Sequence, residues 1–133
     1  MKTEEKRIPV YGSMSRPNHP DEGIEEVRNG RIEWNKGEIE ITYVSDEFTS
    51  VCPKTGQPDF NKVIIKYIPD MYYIESKTMK FYLWAFRDYG IHCEKLAVKI
   101  AEDIKSSIEC HSVTVVIEQK PRGGVGLTAM VTR

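Results

Sequence analysis

One thiol and one carboxylate stand seven residues apart in the stretch Phe48-Thr49-Ser50-Val51-Cys52-Pro53-Lys54-Thr55-Gly56-Gln57-Pro58-Asp59-Phe60. A cysteine attacks electrophilic carbon once its proton is gone, and an aspartic acid can deliver a proton to the atom on which negative charge develops. Side by side, Cys52 and Asp59 could form a covalent adduct and quench it with a proton. Pro53 and Pro58 restrict the backbone between them, and with Gly56 and the small polar residues they predict an ordered loop between two strand-like runs. The structural alternative is ordinary: cysteines are often buried as small hydrophobes, and an aspartate near glycine and proline often makes a turn.

Two further stretches carry candidate binding groups. In Ile74-Glu75-Ser76-Lys77-Thr78-Met79-Lys80-Phe81-Tyr82-Leu83-Trp84, Lys77 and Lys80 are three apart and would share one side of a helix near its N-terminus, where backbone donors also favour an anion such as phosphate. Lysines on an amphipathic helix otherwise simply face water. In Arg87-Asp88-Tyr89-Gly90-Ile91-His92-Cys93-Glu94, Glu94 falls in the first turn of a helix. There it either complements the dipole or accepts from the adjacent N–H and amino donors of a guanine-like ring edge. His92 and Cys93 are neighbours and would point about 100° apart on a helix. With His19 and His111 the only other histidines and no HxH or HExxH spacing, a zinc site is rejected.

Several elements must position these groups. Ile32 and Trp34, then Ile39, Ile41 and Tyr43, alternate around Lys36-Gly37, which predicts strand, turn, strand. After the loop, Val63 to Ile68 reads as a β-branched strand ended by Pro69-Asp70, and Tyr72 to Ser76 as a short extended piece. Thr78 is a candidate N-cap for a short helix over Met79 to Arg87, stopped by Gly90. Leu96, Ile100, Ile104 and Ile108 sit four apart, with charged residues between them, and predict a second helix from about His92 to Ser107. His111 to Gln119 and Val125 to Thr132 alternate as two strands joined by a hairpin turn over Lys120-Pro121-Arg122-Gly123-Gly124. Residues 1–30 hold few large apolar side chains and read as an irregular N-terminal arm, leaving 31–133 as the folded domain. The sum is an α+β domain, an antiparallel sheet with two helices on one face, whose open edges favour association with further copies.

At 133 residues the chain is long enough for one domain with a proper core. Its 19 basic and 20 acidic side chains nearly cancel without forming blocks, so no nucleic-acid or anionic-membrane footprint is visible. Three irregularly spaced cysteines form neither a disulfide framework nor a metal knuckle and point to a reducing, cytoplasmic setting. No signal peptide and no apolar run of membrane-spanning length is legible.

Taken together, Glu47 to Phe60, Glu75 to Tyr82, Phe86-Arg87 and Pro121-Arg122-Gly123-Gly124 resemble the short, single-module form of the 7-cyano-7-deazaguanine reductases, the QueF family. The resemblance runs from about Asp46 to Gly124. It implies a tunnelling-fold (T-fold) subunit and a cytosolic homo-oligomer with active sites between subunits. It also implies NADPH-dependent reduction of a nitrile to a primary amine in queuosine biosynthesis. By position, Cys52 is similar to the nucleophile that forms a thioimide with the nitrile carbon, and Asp59 to the proton donor. Ile74, Glu75 and Ser76 match the substrate-contacting segment, Glu94 the carboxylate that holds the purine-like edge, and Lys77 and Lys80 the NADPH segment.

One position departs from the family pattern, which has histidine immediately before the substrate-binding glutamate. Here that position is Cys93, taken as part of the substrate pocket, and the histidine is one residue earlier, at His92. If Cys93 lay beside Cys52, an oxidative bridge between them could protect the nucleophile. Two other activities share parts of the pattern. An archaeosine synthase of this fold would use the same cysteine and aspartate to let ammonia attack the thioimide on tRNA, without NADPH. A non-catalytic T-fold subunit would use neither.

Overall fold

The computed structural model describes residues 16–133. Their order is α1 (Pro20–Gly30), β1 (Ile32–Glu33), β2 (Ile41–Val51), β3 (Pro58–Ile68), β4 (Tyr72–Tyr73), α2 (Ser76–Trp84), α3 (Cys93–Ile108), β5 (Ser112–Arg122) and β6 (Val125–Thr132). The four long strands form one antiparallel sheet in the order β2-β3-β5-β6, and β1 and β4 form a separate two-stranded pair. This is the α+β plan expected, with three helices among the described residues where two were expected.

The period-2 and period-4 patterns explain the core. Val63, Ile65 and Tyr67 of β3 and Val113, Val115 and Ile117 of β5 are buried on one sheet face. Against them α3 lays Leu96, Ile100, Ile104 and Ile108, with Ala97 and Ala101 keeping helix and sheet close. Each such isoleucine or leucine taken wholly out of water contributes about 1.5–3 kcal/mol. The helix ends where Glu109 adopts a left-handed conformation (φ 53°) and returns its N–H to the Lys105 carbonyl. Lys105 then bonds the carbonyls of Cys110 and His111 at 2.7 and 2.9 Å, a cation over the negative end of the helix.

Several boundaries differ from the sequence expectation. Of the arm expected to be irregular, residues 1–15 lie outside the described residues, whereas Pro20–Gly30 is a helix. His19 caps it by accepting the Asp21 N–H on its ring nitrogen, and Pro20 starts it. Its apolar face is only Ile24 and Val27, both buried, so the pattern is too sparse to stand out from composition. Gly23 completes that face: a Cβ there would lie 3.1 Å from Tyr82 Cα, so its absence lets α1 and α2 touch.

The hairpin expected at Lys36-Gly37 does not form. Ile32 and Glu33 pair instead with Tyr73 and Tyr72, and β2 begins only at Ile41. Trp34 takes its indole N–H to the Gly37 carbonyl (2.6 Å) and its backbone N–H to the Met71 carbonyl, which draws the segment toward β4. Helix α2 starts at Ser76 with Glu75, not Thr78, as N-cap, and gives way to turns after Trp84 rather than running to Arg87. Strand β5 continues through Pro121 and Arg122 past a register irregularity, so the hairpin turn shrinks to Gly123 and Gly124, both at positive φ.

Candidate active site

The loop expected over 48–60 is shorter than that. Strand pairing continues through Ser50–Asp59 and Val51–Pro58, which leaves residues 52–57 as a tight hairpin end. The Cys52 N–H donates to the Gln57 carbonyl and the Gly56 N–H to the Cys52 carbonyl, each at 2.9 Å, with Gly56 at φ 73°. Cys52 is therefore held at both ends of its own backbone, while its side chain remains partly open to solvent. Its thiol is held below the ordinary cysteine range. The Thr55 hydroxyl is the largest cause, followed by the backbone donors of Thr55 and Lys54, with slight desolvation and the nearby Asp59 charge acting the other way.

Asp59 projects from β3 toward the core side of the sheet and is 6% exposed. Its Oδ1 accepts a 2.7 Å bond from Nη1 of Arg122, the last residue of β5. By sequence Arg122 reads as a turn residue within the Pro121-Arg122-Gly123-Gly124 segment, and only the β3–β5 pairing brings it opposite the acid. Two more polar side chains are buried beside them. Ser50 faces Asp59 across the β2–β3 pair, and Asn61 follows Asp59 on the same strand face and donates from Nδ2 to Ser50 Oγ at 3.4 Å.

A short parallel bridge brings the start of α3 to this hairpin: the Val51 N–H donates to the Tyr89 carbonyl and the Ile91 N–H to the Val51 carbonyl, both at 3.1 Å. His92 then caps α3 through its backbone alone and is exposed, while Cys93 turns inward. Cys93 is 3% exposed, its sulfur is 4.0 Å from the Ile117 carbonyl, and burial first, then Glu94 and Asp59, push its thiol up to about 11. The first turn of α3 points the Cys93 side chain inward, within reach of the Asp59 charge, rather than out to the surface of this chain. A thiol so placed is also a poor partner for a bridge to Cys52. Glu94 is exposed and lines a groove of about 440 Å³ along α3 with Lys95, Val98, Lys99, Glu102 and Asp103, a groove that includes neither Cys52 nor Asp59.

The segment Ile74 to Lys80 is organised from within. Ile74 is buried; its N–H donates to the Tyr67 hydroxyl at 2.9 Å, and its carbonyl accepts the Tyr43 hydroxyl. Glu75 Oε1 accepts the N–H groups of Lys77 and Thr78, at 2.9 and 3.3 Å, and Oε2 the Ser76 hydroxyl at 3.4 Å. Two of the N-terminal donors of α2 expected to favour phosphate, the N–H groups of Lys77 and Thr78, are thus taken by this cap. Lys77 and Lys80 remain exposed on the first turns, with no carboxylate bonded to either among the described residues. Two open ammonium groups fit the phosphates of a nicotinamide dinucleotide. Within one chain the structure brings Cys52, Asp59, Arg122, Ser50 and Asn61 together. No hydrogen bond or ion pair among the described residues joins Glu75, Ser76, Lys77, Lys80 or Glu94 to them.

Comparison with known proteins gives a consistent picture. Residues 58–133 match the family model described as "QueF-like protein". An NADPH-dependent 7-cyano-7-deazaguanine reductase of Thermomicrobium roseum is 39% identical over 109 residues, covering 82% of this chain and 83% of the relative. One of Bdellovibrio bacteriovorus is 40% identical (85% and 67% covered) and one of Chlorobium luteolum 45% (69% and 79%). Among solved structures, the archaeosine synthase QueF-Like in its apo form superposes with a TM-score of 0.63 at 22% identity, covering 74% of this chain and 95% of that one, a likeness of fold. The four-stranded sheet backed by helices, the match over more than half the chain and the identity to these reductases show that the chain is a T-fold protein and belongs to the QueF family.

Proposed function

We propose that this chain reduces the nitrile of 7-cyano-7-deazaguanine to the primary amine of 7-aminomethyl-7-deazaguanine with NADPH, in queuosine biosynthesis. The observation that carries this reading is the Cys52 thiol, open to solvent and favoured as thiolate by Thr55 and Lys54, one strand pair away from the Asp59 carboxyl. Cys52 sulfur bonds to the nitrile carbon, the carbon–nitrogen triple bond gives up one pair to nitrogen, and Asp59 supplies the proton that nitrogen takes. The product is a thioimide on Cys52, whose C=N bond is a better acceptor than the nitrile. NADPH, when bound, would supply hydride to that carbon; the carbon–sulfur bond then breaks, Cys52 leaves as thiolate with an imine behind it, and a second equivalent with one proton takes the imine to the amine. Lys77 and Lys80 hold its phosphates, and Glu94 and the Glu75-Ser76 segment hold the deazaguanine.

Since no hydrogen bond or ion pair among the described residues ties those groups to Cys52, the reading includes a homo-oligomer in which a neighbour helps to complete the site. The sheet face away from the helices supports it. Val44, Ile64, Val116 and Met130 are direct neighbours in register across all four strands, and Val44 and Met130 are 58% and 69% exposed. An apolar row of that kind is normally covered. No described helix is long and apolar enough to cross a membrane, and the three free thiols suit a cytoplasmic enzyme.

The test is to mix the protein with 7-cyano-7-deazaguanine and NADPH while following absorbance at the nicotinamide band and intact-protein mass. Consumption of two NADPH per amine, with loss of both NADPH use and adduct in Cys52→Ala, is the expected result. A Cys52 adduct that forms but never oxidises NADPH would move the chain to the amidinotransferase activity, and no adduct would remove the proposal.

A further inference from the structure

Asn61 is 1% exposed, and its Oδ1 is buried without a hydrogen-bond partner among the described residues. Leaving a buried carbonyl oxygen unpaired costs about 1–3 kcal/mol, so its place calls for a use. Its surroundings suggest one. Asn61 and Asp59 are alternate residues of β3 and share its core-facing side, where side chains two apart stand next to each other. The Asn61 amide nitrogen lies 3.4 Å from the hydroxyl of Ser50, the residue paired with Asp59, and in this orientation its oxygen is left over. Arg122 engages Oδ1 of Asp59 only.

The two protonation states of Asp59 need different partners. The carboxylate is an acceptor and is served by Arg122. The acid form has one O–H to donate, and an arginine cannot accept it. An unpaired buried acceptor on the same strand face can.

We propose that Asn61 is a positioning residue for the proton-delivery step, its Oδ1 receiving the O–H of protonated Asp59 and so keeping the acid loaded beside Cys52. This rests on the reductase reading for the use of the proton, and on geometry alone for the pairing. The charged and titratable groups facing Asp59 are Arg122 from β5, Cys52 from the β2–β3 hairpin and Cys93 from α3. Arg122 opposes the acid form, the two thiols when ionised favour it, and Asn61 is the neutral group that favours it at every pH. Because a hydrogen bond to the acid form has no counterpart in the carboxylate, losing it lowers the pH at which Asp59 titrates.

The experiment is a carbon-13 titration of the Asp59 carboxyl in the full chain, comparing the natural sequence with Asn61→Leu, which keeps the shape and removes the acceptor. A net hydrogen bond of ordinary strength corresponds to a downward movement of about one pH unit. An unchanged titration with lower thermal stability would show a merely structural asparagine and overturn the proposal. An upward movement would overturn it too, since it would mean that the amide N–H₂ serves the carboxylate. Asn61→Ala gives the same readout if the leucine variant does not fold. In the NADPH assay the alkaline limb of kcat should move to lower pH in step. If the natural protein makes no Cys52 adduct, the reductase reading fails while the carboxyl titration still decides the role of Asn61.

Discussion

Asp59 and Arg122 are joined at 2.7 Å across the β3–β5 boundary, with the carboxyl side chain 7% and the guanidinium side chain 38% exposed. A carboxylate that far from water is tolerated because a cation faces it, so the pair should be coupled rather than additive. In a double-mutant cycle of Asp59→Asn and Arg122→Met followed by urea unfolding, the coupling should be about 1–3 kcal/mol. Additivity within about 0.3 kcal/mol would show that the contact carries no weight.

The Cys52 thiol is favoured as thiolate mainly by Thr55, while burial disfavours ionisation of Cys93 and Cys110. A depressed thiol value means the reactive form accumulates at lower pH than in an ordinary cysteine. Iodoacetamide should therefore label Cys52 at neutral pH about tenfold faster than the other two or better, judged by peptide mapping. Replacing Thr55 with alanine should move the labelling midpoint of Cys52 up. A midpoint that stays put would remove the role of the hydroxyl, and a Cys52–Cys93 bridge after mild oxidation would contradict the inward placement of Cys93.

Gly23 sits where α1 crosses α2, and a methyl group there would lie 3.1 Å from Tyr82 Cα and 3.3 Å from its ring. Helix propensity alone would make Gly23→Ala stabilising by about 1 kcal/mol. Because the obstacle includes backbone, the crossing must open, and a net loss of about 1–2 kcal/mol is expected in denaturant. A gain in stability would show that α1 does not pack as closely as described.

Met130 ends the apolar row across the outer sheet face, opposite Val116. Met130→Glu places a charge on that face without touching the core. It should lower the assembly state seen by light scattering and take activity with it, while the circular dichroism of the subunit is unchanged. An unaltered mass would mean that copies associate through another surface.

How much was readable in advance depended on whether a group's neighbours were local. The α3 helix and the β3, β5 and β6 strands were legible because Leu96, Ile100, Ile104 and Ile108, or alternating valines and isoleucines, repeat at the period of their own element. Helix α1 was not, since two apolar residues make a face only when another helix covers them.

Residue types and their spacing set the chemistry open to this chain: a cysteine and an aspartate flanking a proline-bounded turn, and a pattern that closely resembles one family. Which side chains surround that pair came from the folded arrangement. Arg122 reaches Asp59 because β5 lies beside β3, Asn61 is left with an unpaired oxygen because the fold buries it next to Ser50, and Cys93 is buried within reach of the Asp59 charge because the first turn of α3 aims it inward. Residue type and spacing report what a side chain can do, whereas charge pairing, burial and direction depend on groups distant in sequence that the fold alone brings within reach.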